Sequence, residues 1–138
     1  MTNNFVGLNL ANLERAILEK NYVLKLFRVG SNLRAVRLED PTGKLVTCGE
    51  GISLIPTLEK VNKNLDDHLL YKAPSSYKIL DSHLDNRIIN GSKLTIRRSE
   101  IYIRGTLTDW DDKVLLIKQT SHLMRLLVNI EHDLNFQA

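Results

Sequence analysis

The sequence predicts an α+β fold, an antiparallel sheet of about five strands in two hairpin groups covered by amphipathic helices, in the order αβββα-(α)-ββα. Three observations predict it. Apolar residues recur at helical spacing in some segments and alternate in others, turn residues separate the alternating segments at hairpin distances, and the helical stripes need a sheet face to bury them. The 138 residues are 43% hydrophobic and 25% charged, an ordinary globular balance. Residues 1–138 read as one domain, able to bury roughly two-thirds of the unfolded surface without a disulfide or a metal.

Asn9 is placed to cap a helix over residues 10–20, where Leu10, Leu13 and Ile17 share a face and Asn21 ends the run. Tyr22, Leu24 and Leu26 alternate as a strand does, and Gly30-Ser31-Asn32 follows as a turn. Two more strands, residues 33–39 and 44–49, flank Asp40-Pro41-Thr42-Gly43, where proline presets φ and glycine accepts a positive one. Ser53 then caps a helix of about 17 residues with Pro56 in its first turn, where a missing N–H costs nothing. Leu54, Leu58, Val61, Leu65 and Leu69 form its apolar stripe.

Residues 72–76, with Ala-Pro-Ser-Ser, are the best candidate for a weak sub-boundary. Tyr77, Leu80, Leu84 and Ile88 keep helical spacing before Asn90-Gly91, although Asp81, Ser82 and Asn86 are poor helix formers. A second hairpin follows, residues 94–98 and 101–107. Asp109, Asp111 and Asp112 read as carboxylates at the start of a long final helix, where its dipole favours them. On that helix Leu116, Thr120, Leu123, Leu127, Ile130 and Leu134 make one stripe, and flanking residues that include Leu115 and Leu126 widen the arc to about 220°, against roughly 100° for one-sided packing. Such a helix is either central to the domain or faces a second chain. Both halves of the chain contain a hairpin followed by an amphipathic helix, but no residue-level identity establishes a duplication.

Charge is informative once divided by segment. The net +3 conceals a surplus of three positive charges on residues 22–48, carried by Lys25, Arg28, Arg34, Arg37 and Lys44 against Glu39 and Asp40. Residues 93–104 hold an equal surplus, from Lys93, Arg97, Arg98 and Arg104 against Glu100. Alternation sends Ile101, Ile103 and Leu107 inward and leaves Tyr102, Arg104 and Thr106 outward, with Arg97 nearby. An aromatic ring among arginines on an open sheet suits single-stranded nucleic acid, so Arg97, Tyr102, Arg104, Arg34 and Arg37 are the candidate residues for that role. A solvated antiparallel face carries the same residue types.

The order αβββα over residues 10–70 resembles that of double-stranded RNA-binding domains, in element order alone. Those domains open their second helix with lysines that meet phosphate, whereas here the turn is Ser53-Leu54-Ile55-Pro56 with Lys60 as the first cation. No phosphate loop, nucleophile elbow or calcium loop is present. His68 and His83 lie near acidic residues, so a small enzyme with a site there is one alternative, but no metal-ligand spacing supports it. His122 and His132 point about 80° apart on the expected final helix. Cys48, the single cysteine, is expected to be a buried structural thiol.

Residues 1–10 lack the cations and apolar run of a secretory signal, and Val114-Leu115-Leu116-Ile117 is far below the roughly 20 residues of a membrane span. The expectation is a cytoplasmic, non-catalytic binding or regulatory protein without a cofactor, metal or membrane contact. It would act through a protein partner or as a homodimer by Leu115, His122 and Leu126. Nucleic-acid binding through the basic strands is the alternative.

Overall fold

The computed structural model describes residues 10–65 and 83–137. Six alternating segments pair into one antiparallel sheet: β1 (Val23–Val29), β2 (Leu33–Glu39), β3 (Leu45–Gly51), β4 (Lys93–Ser99), β5 (Tyr102–Thr108) and β6 (Val114–Thr120), in the spatial order β3-β2-β1-β4-β5-β6. Four helices accompany them among the described residues: α1 (Ala11–Lys20), α2 (Leu54–Asn64), α3 (His83–Ile89) and α4 (Leu123–Gln137). The expected α+β class and antiparallel sheet are therefore present. Of the expected features, Asn9, Leu69, the 72–76 sub-boundary, Tyr77 and Leu80 lie outside the described residues.

Strand pairing fixes which side chains share a face. Leu24 and Leu26 of β1 oppose Leu38 and Val36 of β2 on one side and Ile96 and Leu94 of β4 on the other. The row continues to Gly105 and Leu107 of β5, and to Gly49 of β3. The four described helices pack on this face. The core therefore runs unbroken under both halves, from Leu13, Ile17 and Leu58 to Leu84, Leu127 and Ile130, all 0–1% exposed.

The expected final helix over residues 109–134 is corrected: residues 114–120 are β6, and α4 begins at Leu123. The Asp109 carboxylate closes the β5–β6 hairpin by accepting the N–H groups of Asp111 (2.8 Å) and Lys113 (3.0 Å), and Asp112 adopts a left-handed φ of 64°. Carboxylates that read as helix caps are thus turn formers. The 220° arc overstates the packed face: Leu115, on β6, widens it by about 20° at 100° per residue, and Met124 and Val128 on the opposite flank of α4 are only half-buried. Within α4 alone the buried residues Leu123, Leu126, Leu127, Ile130 and Leu134 span about 100°, the arc of a helix packed on one side.

With β6 in place the chain is two αβββα units in tandem, and the units agree in detail. Asp40 closes the β2–β3 hairpin as Asp109 closes its own, accepting the N–H groups of Thr42 and Lys44, both at 2.9 Å, beside Gly43 at a φ of 88°. Each second hairpin is bulged at the matching place, at Leu38/Glu39 and at Leu107/Thr108. Leu54, Leu58 and Val61 of α2 correspond at one constant spacing to Leu123, Leu127 and Ile130 of α4.

Each of these helices sits on a glycine. A Cβ on Gly49 would lie 3.0 Å from Val61 Cγ2, and one on Gly105 would lie 3.2 Å from Ile130 Cδ1. Asn62 accepts the Leu13 N–H at the start of α1 (2.9 Å), while its counterpart Glu131 accepts those of His83 (2.6 Å) and Leu84 (2.9 Å) at the start of α3.

The units are joined at β1–β4, about an approximate two-fold axis, and they exchange contacts across it. Arg28 of β1 donates to the Ile89 carbonyl of α3, and its counterpart Arg98 of β4 donates to the Leu18 carbonyl of α1, both at 3.2 Å. Glu14 of α1 reaches the far unit and accepts the Leu123 N–H at the start of α4 (2.7 Å).

Two outcomes are expected from chemical denaturation. Gly105→Val overpacks α4 against β5 and costs about 1–3 kcal/mol. Asp109→Ala removes two turn hydrogen bonds at an exposed site and costs about 1 kcal/mol.

Candidate binding face

The other face of the sheet carries no helix among the described residues. Alternation places on it Val23, Lys25 and Phe27 of β1, Ala35, Arg37 and Glu39 of β2, Cys48 and Glu50 of β3, Lys93, Thr95 and Arg97 of β4, Tyr102, Arg104 and Thr106 of β5, and Ile117 and Gln119 of β6. Three of the expected site residues come together there. Arg97 and Arg104 are directly paired across β4 and β5, and Tyr102 lies two residues from Arg104 on the same face. All three are exposed. Among the described residues no hydrogen bond or ion pair engages the Arg97 guanidinium. The guanidinium of Arg104 donates twice to Gln119 Oε1, at 3.0 and 3.1 Å.

Arg37 shares this face, but its charge is answered there. Glu39 lies 2.9 Å from Lys25 Nζ and 2.5 Å from Arg37 Nε. Although it stands on the open face, Glu39 is only 9% exposed, with both its carboxylate oxygens engaged by cations. The hydrogen bond from Lys25, together with Arg37, holds the Glu39 carboxyl below its ordinary value, against the opposing effect of burial. Asp40 beside it is also lowered, chiefly by the Thr42 hydroxyl and the Lys44 backbone N–H.

Arg34 does not belong to this face. It points to the helix side and pairs through Nε and Nη2 with both carboxylate oxygens of Asp85 in α3, at 2.8 and 3.0 Å. Its side chain is 11% exposed, and its role is to dock α3. Alternation within β2 assigns Arg34 and Arg37 to opposite faces, a separation that was legible in the sequence.

The expected partner patch is not one surface. Leu126 is fully buried and would touch a Cβ on Gly105, Leu115 is half-buried in β6, and His122 is exposed before α4, 3.6 Å from Glu14. Leu126 therefore cannot meet a second chain without unpacking the core. Cys48 is exposed rather than buried, because β3 is an outer strand and its thiol lies on the open face opposite Arg37.

His68 lies outside the described residues. His83 borders a cleft of about 380 Å³ with Arg87, Asp109 and Trp110. The cleft holds one imidazole and one carboxylate, and the Asp109 carboxylate is already committed to its turn. No cluster of three or more His, Cys, Asp or Glu side chains able to hold a metal occurs among the described residues. No helix there is long and apolar enough to cross a membrane. The start of α2, where double-stranded RNA-binding domains carry lysines, buries Leu54 and Ile55 and presents no cation before the exposed Lys60.

A lowered carboxyl means that the native state binds fewer protons than the unfolded chain. The resulting stabilisation is complete above the ordinary carboxylate range and is lost as pH falls through the native value. The stability difference between the wild type and Glu39→Gln should accordingly be full at pH 7 and shrink as pH drops below about 4, as urea melts across that range would show. No known family model matches the chain, and neither any curated protein nor any solved structure is significantly similar to it.

Proposed function

We propose that this protein is a non-catalytic cytoplasmic binding module that holds a protein partner on the open face of its sheet. One observation carries the reading: the helices gather on one side of a six-stranded sheet, and among the described residues nothing packs on the other. The composition of that face favours a protein over a phosphate backbone. Lys25 and Arg37 share the one carboxylate of Glu39, Arg104 is held by Gln119 and Lys93 lies 3.6 Å from Asp112. Threonines and apolar side chains such as Val23, Phe27 and Ile117 fill the spaces between them, a mixture typical of non-obligate interfaces.

Photo-crosslinking groups placed singly at Thr95, Thr106 and the α2 surface residue Lys60 test this in cells. Crosslinks to one protein from both threonines and none from Lys60 are expected. Crosslinks from Lys60 alone would refute the reading.

A second reading rests on the Arg97–Arg104 pair beside Tyr102, the arrangement on which single-stranded nucleic acid stacks. It requires oligonucleotide binding at low salt that falls steeply as salt rises and is lost in Arg97→Ala/Arg104→Ala. Fluorescence anisotropy decides it, and binding unchanged in that double variant would dismiss it.

A further inference from the structure

The outer edge of a sheet presents a row of unpaired N–H and C=O groups, which proteins ordinarily guard with charge, proline, bulges, shortness or a covering element. The outer strands here are β3 and β6, counterparts in the two units. β3 exposes Leu45 and Val46 but carries a free-standing charge, the exposed Glu50, between Gly49 and Gly51. β6, Val-Leu-Leu-Ile-Lys-Gln-Thr, contains neither glycine nor proline, and its one charge, Lys118, is tied to Asp133 of α4. Val114 and Ile117 stand 52% and 55% exposed. Among the described residues no strand pairs with its outer side.

We propose that a second copy of this chain pairs along β6, antiparallel and about a two-fold axis at Ile117, extending both sheets into one. Self-pairing in this register sets Ile117 against Ile117 and Leu116 against Lys118, clear of the bulge at Leu115, so no like charges oppose. The helix above makes the edge self-complementary in charge. The Lys118–Asp133 ion pair fixes Asp133 on the β6 flank of α4, and helical periodicity continues that flank through Asn129 and Arg125, both exposed.

Gly105, the β5 partner of Lys118, lies under Leu126 and Ile130, which places Asn129 level with the middle of β6. A two-fold axis at Ile117 therefore passes the helix flank near Asn129 and brings Arg125 of each copy opposite Asp133 of the other. Because α4 lies over β5 and β6, with strands about 4.8 Å apart, the two α4 helices would run about 10 Å from one another, a helix-packing distance. At the β3 edge the residues in the places of Ile117, Arg125 and Asp133 are Cys48, Pro56 and Asn64, so that edge offers no matching charge pair. The inference does not depend on what the open face holds.

Sedimentation equilibrium of the full chain tests it. The wild type is expected to dimerise reversibly by high micromolar concentration. Ile117→Lys, which sets two like charges on the axis, and Arg125→Glu, which opposes a carboxylate to Asp133, should each raise the dimer dissociation constant about tenfold or more, a loss of about 1.4 kcal/mol for each factor of ten. Cys48→Lys, the same change on the other edge, should leave it unaltered. Both Ile117 and Arg125 are surface residues, and circular dichroism confirms the fold of each variant. A chain that stays monomeric, a dimer indifferent to both substitutions, or one broken by Cys48→Lys would overturn the proposal.

Discussion

The antiparallel pairing of β1 with β4 is the interaction on which the rest of the structure depends. Among the described residues only there do the two αβββα units share backbone hydrogen bonds, through a register that pairs Leu24 with Ile96 and Leu26 with Leu94. Joined in this way, each three-stranded sheet becomes half of a six-stranded one, and the apolar faces of the helices merge into a single core. Arg28 and Arg98 then satisfy carbonyls of α3 and α1 in the opposite units, and Glu14 caps α4 across the junction. Neither unit alone could complete these contacts.

The junction also explains why the charge of the chain divides as it does. Basic residues on the strands serve two unrelated ends, according to the face on which alternation places them. Arg28, Arg34, Arg98 and Lys118 face the helices and bind a carbonyl or a carboxylate there. Lys25, Arg37, Lys93, Arg97 and Arg104 face the open side, where Glu39 restrains two of them. The positive surplus on the strands is therefore only in part a surface property. What distinguishes the open side is its extent and its mixture of residue types, with charge a smaller contribution.

Much of the first unit was legible in the sequence, because its punctuation is unambiguous. Asn21 in a left-handed conformation ends α1, and Asp40 to Gly43 turns the hairpin with a glycine at its positive φ. The second unit hides its hairpin. Asp112 stands where a glycine stands in the first unit, and Asp109 to Asp112, then Lys113 and four apolar residues, resembles the start of a helix. Local pattern could not separate strand from helix over residues 114–117, since a short apolar run fits either period. The pairing of β6 with β5 decides it. Without β6 the correspondence between the units is concealed, and Leu126 reads as a surface residue although it packs on Gly105. The Arg97–Arg104–Tyr102 group was accessible because alternation from Ile103 fixes it. Cys48 was not, because its exposure follows from the place of β3 at the end of the sheet order, which no local pattern specifies.

Native-state hydrogen exchange tests the joining of the units most directly. If β1–β4 unites one core, the amides of Leu24, Leu26, Leu94 and Ile96 that bond across the junction will be among the slowest to exchange. They will open only with global unfolding, in a single transition shared by both units. Exchange through one unit at a distinctly lower free energy, with the other still protected, would show two independent cores and contradict the account.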